Sequence, residues 1–431
     1  MRRVYLDNSS ATRIDERVFD AMLPFLKEEY GNAQSMHSLG QRAKDVLENA
    51  RLNVAKLINA RPEEIIFTSC GSESNNLAIK GIAYANKQKG KHIIISSIEH
   101  FSVLQAAKRL GQEGFEITYL PVDKYGFVSP DVLKKSLRND TILVSIQHAN
   151  PEIGTIQPIK ELAKIAHNAG ALFHTDAVAG AGTIPVDVNE LGVDLLSLAG
   201  ATIYGPKGAG ALYLKKGIRI IPLIDGGIQE FGRRAGTENI PAIVGFGKAC
   251  EIAIVEMESN REKMITLQRR LIQELPQKIE YIYLNGHPET RLPNNVNFSV
   301  EFVEGEGMLL FLDQKGIYVT SGSACTSRAL KMSHVLQAIN LDPAVAQGSV
   351  LMMLSKYNTE QDVDYILNEF PPIVTQLRNM SPLYAYFLKT GKRMEAGPGT
   401  DYDHSVVPAQ RELIESVQNA GQRLHQGRLL K

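Results

Sequence analysis

Cys325 and Ser72 lie in segments whose composition suits chemistry. Cys325 lies among small residues in TSGSACTS, and a thiol on a loop that packs little can act as a nucleophile or sulfur carrier. In FTSCGSESNN an apolar run ends and a helix begins at Gly71-Ser72, so backbone N–H groups and the helix dipole favour a phosphate there. The alternatives are a buried small side chain for the cysteine and a simple N-cap for the serine.

Asp176 and His100 follow two further apolar runs. In FHTDAV the carboxylate of Asp176 lies among apolar residues and needs a cationic partner, which the ring nitrogen of a pyridoxal-type cofactor would supply. In SSIEHFSVL the imidazole of His100 could stack on the same ring. The alternatives are an aspartate that caps the next helix and a hydrogen-bonded core histidine. The two positions predict a ring-binding site only if their strand ends lie together.

The elements that must position these residues alternate between strand and helix from about residue 15 to 255. The apolar runs are EIIFTSC, HIIISSIEH, FEITYLPV, TILVSIQHAN, ALFHTDAV and VDLLSLAG, with helical stretches such as IKELAKIAHNAG between them. Apolar strands separated by helices predict a parallel sheet covered on both faces. Ligands of such sheets bind beyond the carboxyl ends of the strands, which is where the candidate residues fall.

The chain is predicted to form two domains and a tail. A large α/β domain is predicted over residues 15–255. A smaller α+β domain, over residues 1–14 and 256–385, would carry the cysteine loop. The tail, residues 386–431, contains an apolar pattern typical of an amphipathic helix, at Leu413, Ile414, Val417, Ala420 and Leu424. This tail could pack on its own domain, be partly disordered or bind a partner.

The composition excludes several classes of protein. The 431 residues are 44% hydrophobic and 22% charged, with 47 basic and 47 acidic side chains, so no net charge would attract nucleic acid or an anionic membrane. The sequence shows no secretory signal and no membrane-spanning run. The three cysteines, Cys70, Cys250 and Cys325, are widely spaced and form no disulfide framework or CxxC pair. We therefore expect a cytoplasmic protein that binds neither nucleic acid nor membrane.

Motifs spread over residues 3 to 385 match one family in order. They include FTSCGSESNNLAIKG, SSIEHFSVL, NPEIGTIQPI, FHTDAVAGAGTIPVDV, YGPKGAGALYL, GRRAGTENIPAIVGF and SGSACTS. In these motifs the chain resembles the cysteine desulfurases of the nitrogen-fixation and iron–sulfur-assembly type, which are class V aminotransferase-like, fold-type I pyridoxal-phosphate enzymes. The resemblance implies a homodimer of the α/β fold-type I architecture, in which a mostly parallel sheet is covered by helices. It also implies removal of sulfur from cysteine, with transfer of a persulfide to an acceptor protein.

The resemblance assigns roles to individual residues. By position, Cys325 matches the persulfide cysteine, Asp176 the acid at the ring nitrogen and His100 the stacking histidine. Asn150 matches a polar cofactor contact, and Ser72 a phosphate ligand. A further phosphate ligand, reached from the partner subunit of a dimer, matches Thr237.

The chain departs from the family pattern at several positions of the same pocket. Thr202 replaces the Schiff-base lysine, and Ala201 the histidine before it. Ala199 replaces a phosphate-binding serine, Ala179 a glutamine that contacts the ring hydroxyl, and Leu351 the arginine that binds the substrate carboxylate. We therefore expect pyridoxal phosphate to be not covalently bound. The remaining lysine of this segment is Lys207, which follows a Gly-Pro turn.

Three interpretations of function remain open at the level of sequence. In the first, the chain is a catalytically degenerate desulfurase homologue. It would use Cys325 in iron–sulfur assembly or sulfur transfer as a scaffold, persulfide relay or iron–sulfur cluster ligand, together with a sulfur acceptor, a scaffold protein or an active desulfurase. In the second, it is an active pyridoxal-phosphate-dependent desulfurase with atypical cofactor handling. In the third, it is a binding or regulatory protein in which Cys325 is a relic.

Overall fold

The computed structural model describes residues 2–321 and 332–393. The chain forms two compact units, Met1–Ser381 and Pro382–Lys431. The first unit contains three sheets and the cavities described below. The boundaries predicted inside it, at residues 14/15 and 255/256, remain predictions. The predicted amphipathic pattern from Leu413 to Leu424 lies outside the described residues.

A seven-stranded sheet forms the centre of the first unit. Its strands are β2 (Ile65–Thr68), β3 (His92–Ser96), β4 (Glu116–Leu120), β5 (Thr141–Ser145), β6 (Leu172–Asp176), β7 (Leu195–Ala199) and β8 (Gly210–Leu214). Their spatial order is β2-β8-β7-β6-β5-β3-β4. β8 is antiparallel to both neighbours, and the other adjacent pairs are parallel. The predicted mostly parallel α/β sheet is therefore confirmed.

Helices cover both faces of this sheet. They are α1 (Glu16–Lys27), α2 (Ser38–Leu57), α3 (Gly71–Asn86), α4 (Phe101–Gln112), α5 (Pro130–Ser136), α6 (Ile159–Asn168), α7 (Val188–Leu191), α8 (Gln229–Gly232) and α9 (Ile240–Lys278). Leu77 of α3 packs in one buried cluster with Ile93 and Ile95 of β3. Ile94 of β3 belongs to a different buried cluster, which also contains Phe246 of α9. Neighbouring residues of β3 thus enter different clusters, as expected for a strand buried on both sides.

A smaller mixed region follows α9. Strands β9 (Ile282–Leu284), β10 (Asn295–Val300) and β12 (Ser349–Met353) form an antiparallel sheet, and β1 (Val4–Tyr5) pairs in parallel with β11 (Ile317–Tyr318). Its helices are α10 (Gly305–Gln314), α11 (His334–Ala338), α12 (Pro343–Ala346) and α13 (Glu360–Met380). The strands, α10 and α13 share a third buried cluster that includes Phe298 and Phe370, whereas α11 and α12 contribute to the cluster that contains Phe246. The predicted mixture of strand and helix after the long helix is confirmed.

The second unit contributes α14 (Pro382–Thr390) to the described residues. In the parts of the chain that the structure describes, no helix combines the length and apolar character needed to cross a bilayer.

Candidate active site

The central cavity, of about 220 Å³, lies beyond the carboxyl ends of β6 and β7. Its walls include Ser72, Asp176, Ala179, Ala199, Ala201 and Thr202. Ala179, Ala199, Ala201 and Thr202 were singled out by resemblance alone, whereas Ser72 and Asp176 were also predicted because they follow or end apolar runs. The parallel sheet brings them together because β6 and β7 are neighbours that end on the same side.

Asp176 is the one buried carboxylate of the described residues that line the central cavity. Its Oδ2 accepts a hydrogen bond from Asn75 Nδ2 at 2.6 Å, and its Oδ1 accepts one from the backbone N–H of Val178 at 3.0 Å. Both donors are neutral, so the hydrogen bonds fix the carboxylate without neutralising it. Because a buried carboxylate is stabilised by a positive charge, Asp176 retains the capacity to bind a cationic group in the cavity.

Two helix N-termini open toward the central cavity. α3 begins at Gly71, where a Cβ atom would lie 2.7 Å from Cγ2 of Val178, so the close approach requires glycine. His100 caps α4, because its Nδ1 accepts a hydrogen bond from the N–H of Ser102 at 3.1 Å. His100 and Ser72 are exposed and line the cavity. His100 is therefore a helix cap at the cavity rim, and the alternative of a core histidine is wrong.

Thr202 occupies the position at which the resemblance places the cofactor lysine. Its hydroxyl donates to the carbonyl oxygen of Val178 at 2.8 Å and lies 3.2 Å from that of Ala199. The side chain thus ties together the backbone segments after β6 and β7. A threonine has no amine, so it performs a structural task where a lysine would offer a nucleophile.

The central cavity does not fit a covalently held pyridoxal phosphate. A Schiff base requires a primary amine, and neither lysine nor arginine lines this cavity among the described residues. Lys207 lines a different cavity, of about 410 Å³, together with Arg3 and Arg13. The described walls of the central cavity supply one carboxylate, hydroxyl and amide groups, the His100 imidazole and the Cys70 thiol, but no amine that could form a Schiff base.

The acid cavity, of about 300 Å³, adjoins the central cavity and shares Ser9, Ser10, His100, Gln147 and Pro151 with it. Its walls also include Glu99, Asn150, Glu152, His334 and Leu351. Asn150 Nδ2 donates to the carbonyl oxygen of Ile98 at 3.1 Å, and its Oδ1 accepts from the N–H groups of Glu152 and Ile153, both at 2.9 Å. Asn150 therefore shapes the loop after β5 and borders the acid cavity.

One predicted site residue lies away from the cavities, and another is not among the described residues. Thr237 is exposed between α8 and α9 and is absent from the walls of the described cavities. Cys325 lies outside the described residues.

The position after an apolar run marked Cys70 and Glu99 in the sequence without assigning them a role, whereas Asn75 and Glu152 were not predicted. Cys70 is exposed and lines the central cavity beside Gly71, and Asn75 binds Asp176. Glu99 and Glu152 border the acid cavity. The same signal would have marked Asn75 and Glu152, because each follows the end of an apolar run within a few positions, as His100 and Asp176 do.

The fold and the site match a defined class of protein. The family model described as Aminotransferase class-V matches residues 4–366. A solved structure titled NifS-like protein superposes with a TM-score of 0.83 at 39% identity, covering 87% of this chain and all of that one.

Relatives narrow the class further. The chain is 54% identical to cysteine desulfurase IscS of Dictyoglomus turgidum, over 88% of this chain and 97% of the relative. It is 53% identical to cysteine desulfurase IscS of Methanosarcina thermophila, over 89% of this chain and 94% of that relative. The chain therefore belongs to the cysteine desulfurase family of class-V aminotransferase-type proteins.

Proposed function

We propose that this chain is a cysteine desulfurase homologue that acts in iron–sulfur assembly or sulfur transfer through Cys325, without a Schiff-base cofactor. The observation that carries the proposal is Thr202, whose hydroxyl bridges backbone carbonyls in a cavity with no described lysine or arginine in its walls. The relatives named cysteine desulfurase support the sulfur-transfer role.

The missing groups make cleavage of free cysteine slow. A positioned acid–base group contributes about 10²–10⁴ to a rate, and loss of a covalent tether and its geometry adds to that. Leu351 is 1% exposed on β12 and replaces, by resemblance, the arginine that binds the substrate carboxylate. A hydrogen bond to a charged group is worth roughly 1.5–3 kcal/mol, and leucine makes none.

Sulfur can still reach Cys325 from a persulfide donor. The Cys325 thiolate attacks the terminal sulfur of the donor persulfide, and the donor leaves as a thiolate when the old S–S bond breaks. The reaction exchanges one sulfur–sulfur bond for another, so it needs no oxidant or reductant. We place this relay in a cytoplasmic homodimer that receives sulfur from an active desulfurase and passes it to an acceptor or scaffold protein, where Cys325 could also ligate iron.

The relay is tested by sulfur uptake at each cysteine. The protein is incubated with a low-molecular-weight persulfide, alkylated in its native state and mapped by peptide mass spectrometry. We expect sulfane sulfur on Cys325 and none on Cys250, which is buried and whose thiol pKa is raised by that burial. Cys70→Ser, which removes the exposed thiol among the described residues, should leave the uptake unchanged, whereas Cys325→Ser should abolish it.

A second candidate function is desulfurase activity with non-covalent cofactor. The clustering of Ser72, His100 and Asp176 around one cavity favours it. An assay of alanine release from cysteine with added pyridoxal phosphate separates the two candidates. Turnover that survives repurification and disappears in Cys325→Ser would establish the second. If uptake in Cys325→Ser equals that of the unchanged protein and no alanine forms, both fail and Cys325 is a relic.

A further inference from the structure

The cavity that Lys207 lines carries several positive charges in its walls. Arg3, Arg13 and Lys207 all contribute to it, together with the rings of Tyr5 and Tyr357. Arg3 directly precedes β1, Arg13 lies shortly before α1, and Lys207 lies between β7 and β8. The fold therefore brings cations from separate segments of the chain to one cavity, which we call the basic cavity.

The walls of the basic cavity do not cancel this positive charge. Arg3 and Lys207 are exposed, and neither makes a hydrogen bond or an ion pair with a described residue. Asp362 is the acid among the described residues of the walls, and its Oδ1 already pairs with Arg2 at 2.7 Å. The basic cavity therefore retains an excess of positive charge that would attract an anion.

Arg13 is oriented at the basic cavity without losing its capacity to bind an anion. Its guanidinium carbon lies 5.4 Å from the centroid of the Tyr357 ring, a cation–π contact. It also pairs with Glu16 at 2.5 Å, but both side chains are largely exposed, and Glu16 does not line the cavity. Exposed ion pairs contribute little free energy, so a second anion can compete for the guanidinium.

The basic cavity is large enough for a small molecule and has a fixed polar wall. At about 410 Å³ it falls within the range of small-molecule sites, about 300–1,000 Å³. The buried residues Asn8, Ser355 and Asn358 also line it. Asn8 donates to the carbonyl oxygen of Met353 at 2.7 Å, and Asn358 accepts from the N–H of Ser355 at 2.8 Å. Hydrogen bonds within the protein therefore hold this wall in place.

We propose that the basic cavity binds a phosphate monoester. The phosphoryl group of such a ligand carries a charge of about −1.5 to −2 at pH 7 and has three acceptor oxygens. Arginine can bind a phosphate through two parallel N–H donors, and lysine adds a compact charge. A carboxylate has a single charge and two oxygens, so it would use fewer of the donors that Arg3, Arg13 and Lys207 offer. Tyr5 and Tyr357 would flank the organic part of the ligand.

This site is separate from the one that the resemblance assigns to a cofactor phosphate. Ser72, at the start of α3, lines the central cavity and does not line the basic cavity. Asn8 is the described residue that the two cavities have in common. Neither Cys325 nor a Schiff base takes part in binding at the basic cavity, which therefore goes beyond the proposed relay and does not depend on it.

The test follows acetylation of the Lys207 amine in the presence of two probes of similar shape and different charge. The full-length protein, without pyridoxal phosphate, is treated briefly with an acetylating N-hydroxysuccinimide ester at pH 7.5 and a constant ionic strength of about 0.15 M, and is then mapped by peptide mass spectrometry. We expect ethyl phosphate to slow acetylation of Lys207 with a half-maximal concentration on the order of 1 mM, and ethyl sulfate, a monoanion, to act at least about fivefold more weakly. Equal protection by the two probes, or no saturable protection by ethyl phosphate, would overturn the proposal.

A second lysine in the same sample is the control for reagent chemistry. Lys108 is exposed on α4 and lines none of the cavities described above. Its acetylation should not respond to either probe. If ethyl phosphate slows the reactions of Lys108 and Lys207 equally, the protection does not come from the basic cavity and the proposal is wrong.

Variants then locate the phosphate. Arg3→Gln should weaken the protection of Lys207 by about fivefold or more, because it removes a charged two-donor contact. The matched control is Arg219→Gln, at an exposed arginine that lines none of these cavities, and it should leave the protection unchanged. Ser72→Ala should also leave it unchanged. Loss of protection in Ser72→Ala, or equal weakening in the two arginine variants, would place the phosphate elsewhere and contradict the proposal. If a variant fails to fold, the rates at Lys207 and Lys108 in the unchanged protein still decide.

Discussion

Thr202 and its neighbours determine, at the scale of single residues, what the central cavity can do. The Thr202 hydroxyl is occupied by backbone carbonyls, and Ala199 and Ala201 add only methyl groups to the cavity wall. Asp176 keeps its place at the end of β6 and is fixed by Asn75 and the N–H of Val178. The cavity therefore has an anchored acid and no described amine.

Restoring the amine tests this interpretation. The double variant Thr202→Lys with Ala201→His should bind pyridoxal phosphate as an adduct that hydride reduction traps at position 202. The rate of alanine release per trapped cofactor should still be at least about tenfold below that of an active desulfurase, because Leu351 provides no charge-assisted bond to the substrate carboxylate. Ala201→His alone is the control and should trap no cofactor at position 202. Full activity in the double variant, or no gain in trapped cofactor, would contradict the account.

At the scale of elements, a buried ion pair holds the segment between β8 and α9. Glu230 and Phe231 of α8 have positive φ angles of 49° and 59°, which non-glycine residues rarely adopt. Arg51 of α2 donates to both carboxylate oxygens of Glu230, at 2.7 and 2.8 Å, and the N–H of Phe67 adds a third bond. These bonds offset the backbone strain and fix the start of the segment that leads to Thr237.

Removal of one partner of this pair should destabilise the fold strongly. Glu230→Ala leaves Arg51 buried without its main partner, so we expect a loss of about 3–5 kcal/mol in the free energy of unfolding. The control is Glu48→Gln, which removes the exposed acid at 3.2 Å from the same guanidinium and should change stability by less than about 1 kcal/mol. Urea unfolding of the three proteins measures both effects, and equal losses in the two variants would refute the assignment.

At the scale of the whole molecule, the buried titratable groups give stability a particular dependence on pH. Glu99 has a pKa near 4.5 when unfolded and about 8 when folded, so the stability that it contributes is complete below pH 4.5 and is lost as the pH rises toward 8. Burial raises the pKa of Glu152 to about 7, so the stability that Glu152 contributes is also complete below pH 4.5 and is lost as the pH rises toward 7. Burial lowers the pKa of His148 to about 4 and that of His174 to about 3. These two residues therefore reduce the stability of the fold as the pH falls below 6.5, and they have little effect above it.

Between pH 6.5 and 8 we therefore expect Glu99 to account for most of the change in the free energy of unfolding. The unchanged protein should lose roughly 1–2 kcal/mol of stability across this range, because one pH unit corresponds to about 1.4 kcal/mol for each proton retained on folding. Glu99→Gln should remove most of that loss, whereas Glu152→Gln should flatten the curve mainly below pH 7. Chemical unfolding at several pH values measures this. An unchanged slope in Glu99→Gln would show that Glu99 is ionised in the folded protein.

Much of the fold could be predicted from sequence, because the apolar runs and helical stretches of the large sheet are regular and local. The end of one such run placed Asp176 at the site. The antiparallel β8 and the location of Lys207 in a separate cavity could not be predicted, since both depend on how the chain turns after Thr202. The unpartnered oxygens of Glu99 and Glu152 also escaped prediction, because the side chains around each come from distant parts of the sequence.

The central claim, that this desulfurase-family chain holds no Schiff-base cofactor, is tested most directly by hydride trapping. The purified protein is incubated with pyridoxal phosphate, its absorbance spectrum is recorded, and it is treated with borohydride before peptide mass spectrometry. We expect a spectrum equal to the sum of those of the protein and the free cofactor, and no lysine that is modified stoichiometrically. A stoichiometric pyridoxyl group on one lysine, with Lys207 the first to inspect, would contradict it.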